Sequence, residues 1–380
     1  MKTIKIFHAL PLLPIAFMAP AVAADDVIQL NPVVVTATSL EQNIVDAPSA
    51  MSIITRKELD NRPVHDLVDA LQGTESIQFT GEGMTRRGIS IRGMPTSHTL
   101  ILLDGKRISS AGAIAHSDYD YNWMPVEAIE RIEVVRGPIS SLYGSDALGG
   151  VVNVIPRKPT DEWKGSLRLG GGLMDHNRGG GSHQEGIYLG GPVIKDKLGI
   201  SFTGTNQRRE ATKDPADPTI SELEGRQSHQ GDMTVVFTPF DNHRFDIGYG
   251  SGREKRWRDT KTSGSSPKNY QSNETIEREQ QSFKYEGDWD WGNTIIRAYR
   301  NRLDRNVRYT NNQKPSDPNT TIKNSIVDFH ANLTAIDRHT VSFGGEWHEE
   351  ELESQGFAND GASAIYRSFF IQEQYAITPD

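Results

Sequence analysis

The chain has 380 residues, of which 36% are hydrophobic and 35 are glycine, with a formal net charge of -9 and a mean hydropathy of -0.55. That polarity excludes a bundle of membrane-spanning helices, and the acidic balance speaks against a nucleic-acid partner. Cysteine is absent, which removes disulfide staples, thiolate catalysis and cysteine metal sites and leaves a soluble β-rich protein or a membrane β-barrel.

In chain order, Lys2 and Lys5 precede an apolar run over 9–19, and Ala21-Val22-Ala23 forms a small-residue cleavage site. This is the pattern of a secretory signal at 1–23, cleaved near Ala23. The run is too short and too rich in proline for a membrane anchor. Residues 31–38, NPVVVTAT, form an extended β-branched segment. It is expected to be mobile and to have no partner strand of its own, as suits a strand donated to another protein or an edge strand of the next domain.

Residues 51–157 have an α+β pattern. A strand at 51–55 leads to Thr55 as the cap of a helix with Leu59, Val64, Leu67, Val68 and Leu71 on its apolar face, broken at Pro63 and ended by Gly73. Strands follow at 76–79, 89–92 and 99–103, and Asp104-Gly105 is a hairpin signal. Residues 127–130 read as one helical turn. The stretch at 131–157, RIEVVRGPISSLYGSDALGGVVNVIPR, reads as strand, glycine-punctuated loop and strand. The loop lacks the Lys-Ser/Thr of a phosphate-binding loop. Gly137, Tyr143, Gly144, Ser145, Asp146, Gly149 and Gly150 are expected to shape it, with Gly149 and Gly150 where a Cβ would not fit.

That stretch, with IERIEVVRGP at 129–138 and LILLDGKRI at 100–108, closely resembles the end of the plug domain of TonB-dependent outer-membrane receptors. SSLYGSDALGGVVNV is most similar to the catecholate siderophore and colicin I receptors, and cobalamin receptors carry a similar stretch. The resemblance implies a plug at 48–157 and a segment at 24–47 with a TonB box, Val33, Val34, Val35, Thr36 and Ala37, offered to a periplasmic TonB-type energy-coupling protein. It also implies a ferric siderophore as ligand, outer-membrane lipid around the barrel, and colicins or phage as opportunistic users. Pro156 departs from the threonine usual in the family and bears on the link to the barrel.

From 163 onward, apolar residues alternate with polar ones over long segments. Phe245, Ile247 and Tyr249 form one such set, Phe283, Tyr285, Trp289 and Trp291 another, then Val327, Phe329, Ala331 and Leu333, and Val341, Phe343 and Trp347. Several segments approach the length of a bilayer-spanning strand, about 9–11 residues. Trp289, Trp291 and Trp347 suit an interfacial girdle, Gly191-Pro192 and 239–241 read as short periplasmic turns, and 207–227, 252–276 and 304–321 as long extracellular loops. The expected fold is an α+β plug followed by an antiparallel transmembrane β-barrel at 158–380, truncated at about ten strands of the 22 that close such transporters. Ten strands cannot close around a plug, so the chain is read as the N-terminal part of a longer receptor.

No motif points to an enzyme, and no cofactor is expected. His348-Glu349-Glu350-Glu351 lacks the second histidine of a zinc motif, and Asp118, Asp120 and Asn122 carry half of a calcium-loop spacing with Trp123 in place of glycine. The expected function is energy-coupled uptake of a ferric siderophore of the catecholate class. Competing readings are a receptor for cobalamin, haem or another nutrient, and a defective chain that folds only its plug. Ferric catecholates are anionic and aromatic, so Arg86, Arg87 and Arg92, with His116, Tyr119 and Tyr121, all on or beside two plug loops taken to face outward, are the expected ligand contacts.

Overall fold

The computed structural model describes residues 33–34, 42–43, 49–80, 88–108, 125–174, 178–315, 319–354 and 361–377. At the N-terminal end β1 (Val33–Val34) pairs antiparallel with β2 (Gln42–Asn43). This corrects the expectation of an unpartnered segment, because two residues of ladder already satisfy part of its backbone. Val35, Thr36 and Ala37 of the expected box lie outside the described residues, as does the signal.

The α+β unit follows as β3 (Ala50–Thr55), α1 (Arg56–Asp60), α2 (Leu67–Leu71), β4 (Ile77–Thr80) and β5 (Gly88–Ile91). It continues with β6 (Thr99–Leu103), β7 (Lys106–Arg107), β8 (Ile129–Arg136), the short helix α3 (Ser140–Tyr143) and β9 (Gly150–Pro156). Five of these strands make one sheet in the order β3-β8-β9-β6-β7, in which β6 and β9 run parallel. Pro63 separates the two short helices as expected. Leu59, Val64, Leu67, Val68 and Leu71 are buried with Ile132, Val134, Val152 and Val154 in one core.

A capping box starts α1: Thr55 accepts from the Glu58 N–H, and the Glu58 carboxylate accepts from the Thr55 N–H at 2.7 Å. The Thr55 backbone and hydroxyl bonds hold the Glu58 carboxyl below its usual range against the opposing effect of partial burial. Thr55→Ala is expected to destabilise this unit by about 1 kcal/mol. Because the folded-state pKa is depressed, the Glu58 contribution is present above the ordinary carboxylate pKa and is lost as pH falls below it. The difference in urea unfolding between the two proteins should narrow in acid as the hydroxyl–carboxylate bond is lost, and persist in part because the Glu58 N–H bond to the hydroxyl does not titrate.

The C-terminal region is one antiparallel ten-stranded sheet. It begins with β10 (Lys164–Gly172), β11 (Ser182–Ile194) and β12 (Leu198–Arg209). A small side ladder, β13 (Thr212–Lys213) and β14 (Ser221–Leu223), precedes β15 (Gly225–Phe240), β16 (His243–Lys261) and β17 (Asn269–Trp289). The sheet ends with β18 (Gly292–Tyr309), β19 (Thr320–Ile336), β20 (His339–Ser354) and β21 (Gly361–Tyr375). Strands β10 and β21 stand at its two ends and do not pair with each other.

Alternation along these strands is inverted relative to a soluble protein. On β19, Val327 and Phe329 are 47% and 38% exposed, whereas Asp328 and His330 between them are 4% and 7% exposed. The apolar residues face out and the polar ones face the α+β unit, which is the arrangement of a lipid-facing barrel wall. Register aligns the outward residues into a belt, Phe237, Phe245, Tyr285, Ile296 and Phe329 lying opposite one another across five strands. On β17 the belt runs from Phe283 to Trp289, roughly 20 Å along the strand at about 3.3 Å per residue, and so covers part of the ~25 Å apolar band of such walls.

Three details differ from expectation. Gly191 and Pro192 lie inside β11, at a bulge that tolerates proline, and the turn falls at Lys195–Lys197. The long connections are shorter than predicted, since strands continue to Arg209, Lys261 and Tyr309 and restart at Gly225, Asn269 and Thr320. Trp347 is mid-strand on β20 rather than at an end. Trp289 and Trp291 do mark the short-turn end, stacked at 6.1 Å, with His243 against Trp289.

Candidate functional site

The five-stranded sheet ends in the β6–β7 hairpin, and its tip is where the α+β unit meets the wall. Asp104 and Gly105 both take positive φ, as the two-residue turn between Leu103 and Lys106 requires. Gly105 is needed a second time: a Cβ there would stand 2.0 Å from Arg297 Nη1. The hairpin backbone is read by alternate inward side chains of β18. Arg297 donates to the Gly105 carbonyl at 2.8 Å, Tyr299 Oη accepts from the Arg107 N–H at 3.0 Å, and Asn301 donates to the Arg107 carbonyl at 2.9 Å.

Charge reinforces this docking. Asp104 pairs with Lys284 at 2.8 Å, and Lys106 donates to Ser282 at 3.2 Å. Arg107 joins three parts, with Glu346 of the wall and Asp146 of the glycine loop each at 3.2 Å and the Tyr143 carbonyl as a third acceptor. Arg297 also holds Asp328 at 2.7 Å and donates to His330 Nε2 at 3.0 Å. Burial alone would raise the Asp104 pKa, but Lys284, Lys106 and Lys158 outweigh it and hold the carboxyl far below its usual range. A depressed folded-state pKa means that the pair persists until pH falls through that lowered value. Hairpin protection, corrected for intrinsic exchange, is therefore expected to stay level from about pH 7 to about pH 4, around the ordinary aspartate pKa. A drop well above about pH 4 would contradict the pairing, whereas a gradual decline below it follows from the lowered pKa.

A second anchor ties the α+β unit to the first strands of the sheet. Arg168 of β10 bridges Asp60 and the buried Glu127 at 3.1 and 2.9 Å, and His65 meets Gln184 at 2.7 Å. Arg157, in the link to the barrel, lies over the Tyr188 ring at 3.8 Å, while its N–H donates to Ala128. Pro156 closes β9 opposite Ile129 without disturbing this.

Of the expected ligand residues, Arg86, Arg87, His116, Tyr119 and Tyr121 lie outside the described residues. Arg92 is in the turn after β5 with positive φ, exposed, its guanidinium lying over Gly137. Asp118, Asp120 and Asn122 are likewise outside. Of the loop residues, Tyr143, Gly144 and Asp146 lie beside Arg107, Gly137 donates to the Gly149 carbonyl at the base of the loop, Gly150 approaches Val135 and Ile91, and nothing is described for the Ser145 side chain. His348 contacts Asn324 at 3.0 Å, and among the described residues no cluster could hold a metal. Lys284, Arg297, Tyr299, Asn301 and Arg107 were not singled out from sequence. The available signal was their place: ionisable residues inside strands that also face lipid are seldom there without a partner.

An N-terminal unit tied by side chains to the inner face of a lipid-facing sheet is the arrangement of a plugged transporter. Residues 43–151 match the TonB-dependent Receptor Plug Domain. The chain is 32% identical, over 96% of its length and 55% of the relative's, to the "Iron-regulated outer membrane virulence protein" of Vibrio cholerae. The chain belongs to the TonB-dependent receptors. The "Ferric enterobactin receptor PirA" of Pseudomonas aeruginosa is 28% identical over 89% of this chain and 50% of the relative. The crystal structure of the siderophore receptor PirA from P. aeruginosa superposes with a TM-score of 0.70 at 24% identity, covering 88% of this chain and 54% of that one. The likeness supports the receptor fold, plug and sheet together. The chain spans about half the length of the curated relatives it matches.

Proposed function

We infer that this TonB-dependent receptor chain serves energy-coupled uptake of a ferric siderophore of the catecholate class across the outer membrane. The observation that carries the reading is similarity along nearly the whole chain to proteins named for iron regulation and for ferric enterobactin. The geometry supports it with a plug held against the inner wall by bonds that can be broken and remade. Ligand is captured above the plug by Arg86, Arg87 and Arg92 with His116, Tyr119 and Tyr121, whose cations and aromatic faces match an anionic catecholate. A periplasmic coupling protein takes up the Val33–Ala37 strand by backbone pairing, displacing its short ladder with β2.

The test is expression of the chain, alone and completed by the remaining strands of a closed barrel, in iron-starved cells that lack their own receptors, with radiolabelled ferric catecholate, cobalamin and haem offered separately. Retention and uptake of the ferric catecholate alone supports the reading. Preference for cobalamin or haem transfers the chain to another nutrient, and recovery in the soluble periplasm with only the plug protected from protease supports the defective form. Val34→Pro removes a ladder donor and distorts the strand. It is expected to lower uptake at least about tenfold while surface binding persists.

A further inference from the structure

Beneath the hairpin, on the side of the short turns, lies a cavity of about 730 Å³ between plug and wall. Its charged lining is balanced, with Arg131, Lys158, Arg244, Lys284 and Arg297 against Asp104, Glu130, Asp241, Glu286 and Asp288. A space of this size accommodates a small-molecule ligand. In the closed arrangement the cations are already matched: Lys284 lies 2.8 Å from Asp104 and 2.9 Å from Glu286, Arg297 lies 2.7 Å from Asp328, and Arg244 lies 2.7 Å from Asp246. Such a chamber holds an anion weakly, as a place of passage requires.

Two of these cations have a second partner that belongs to the plug. Lys284 holds Asp104, and Arg297 holds the Gly105 carbonyl. If the tip of β6–β7 swings off β18, the Asp104 carboxylate and the Gly105 oxygen leave together, while Glu286 and Asp328 remain on the wall. The wall then gains net positive charge at the mouth of the cavity. His330, also in the lining, has its Nε2 taken by Arg297, and its buried Nδ1 has no hydrogen-bond partner among the described residues.

We propose that the cavity is an exit vestibule on the periplasmic side, that the β6–β7 hairpin is its gate, and that Lys284 and Arg297 pass from the hairpin to an anionic ligand as the gate opens. The ligand class rests on the function inferred above. The gate itself rests on the contacts alone. Asp104→Asn removes the gate's charge and keeps both wall cations, and Tyr299→Phe removes an acceptor from the Arg107 N–H without altering any charge.

Both are tested in the full chain folded in detergent, with hydrogen exchange as the first measurement. Amides at 105–107, beyond the β6–β9 ladder, are expected to exchange at least about tenfold faster in each variant, equivalent to about 1.4 kcal/mol, while β6, β8 and β9 stay protected. Unchanged exchange in the hairpin, or equal acceleration throughout the plug, overturns the gate. The second measurement uses the absence of native cysteine: Asn293→Cys places one thiol in the vestibule lining for maleimide labelling. A gallium tris-catecholate is expected to slow labelling in the Asp104→Asn background and not after Lys284→Gln and Arg297→Gln are added. Equal labelling with and without the complex overturns the transfer of the cations to ligand. Neither measurement depends on uptake, so a failure of transport in cells would count against the proposed function and not against the gate.

Discussion

Gly150→Val is expected to unfold the plug while leaving the barrel sheet in place. Gly150 has φ +151°, and a Cβ there would lie 2.3 Å from the Val135 carbonyl oxygen and 2.9 Å from Ile91 Cδ1. The oxygen belongs to β8, the strand that pairs with β9 from Arg136 opposite Gly150 onward. It cannot retreat without opening that ladder next to buried Val134 and Val152. A branched side chain in that space is one of the few changes expected to exceed about 4 kcal/mol, a large part of the 5–15 kcal/mol that holds a typical domain. Limited proteolysis followed by mass mapping should show cleavage within 49–156 and intact β15–β18. A plug as resistant as the original would show that the close approach at Gly150 is misplaced.

The second large effect is expected from Arg297→Ala. Asp328 is almost completely buried opposite this guanidinium, and removing one member of a buried pair costs about 3–5 kcal/mol, mostly by leaving the other uncompensated. The same change removes the bond to Gly105. Adding Asp328→Asn to Arg297→Ala should restore much of the thermal stability, because the orphaned charge is gone, but should not restore protection of the hairpin. Recovery of both would mean that the Gly105 bond contributes nothing to docking. Failure to recover either would mean that Asp328 is not the group left exposed by the loss of Arg297.

The fold was legible in the chain wherever lipid or a buried core imposed a period. Leu59, Val64, Leu67 and Leu71 could be assigned inward because only one helix face is apolar, and Phe283 to Trp289 because only hydrocarbon rewards an outward apolar face opposite a polar interior. The strand ends were not legible for the same reason. Beyond the belt, segments such as 252–261 are polar, read as loop by hydropathy, and yet continue as ladder, because backbone pairing does not require apolar side chains. Pro192 misled in a related way, proline marking a bulge as readily as a turn. Hairpin docking was hidden more deeply. The bonds to Gly105 and Arg107 use backbone atoms, which leave no trace in residue identity, and their β18 partners are separated from them by about 190 positions in sequence. The expected ligand cluster stands apart from this, since of its six residues only Arg92 is described.

The connections of the barrel sheet alternate, with two or three residues at one end and longer spans at the other. From Ser251 to Arg256, β16 has polar residues or glycine on both faces, so nothing in hydropathy distinguishes its present pairing from one slipped by a single residue. The count is kept from below, by the turn at Asp241–Asn242 and the aromatic belt just above it. Length is therefore a constrained quantity on one side of the membrane and a free one on the other. An added residue between Phe245 and Tyr249 would invert every later side chain of the strand, exchanging lumen for exterior. The same residue added at 262–268 would be absorbed by the connection. Variation in chain length among such receptors should accordingly accumulate at the tips of the long connections, where the molecule meets whatever is outside the cell.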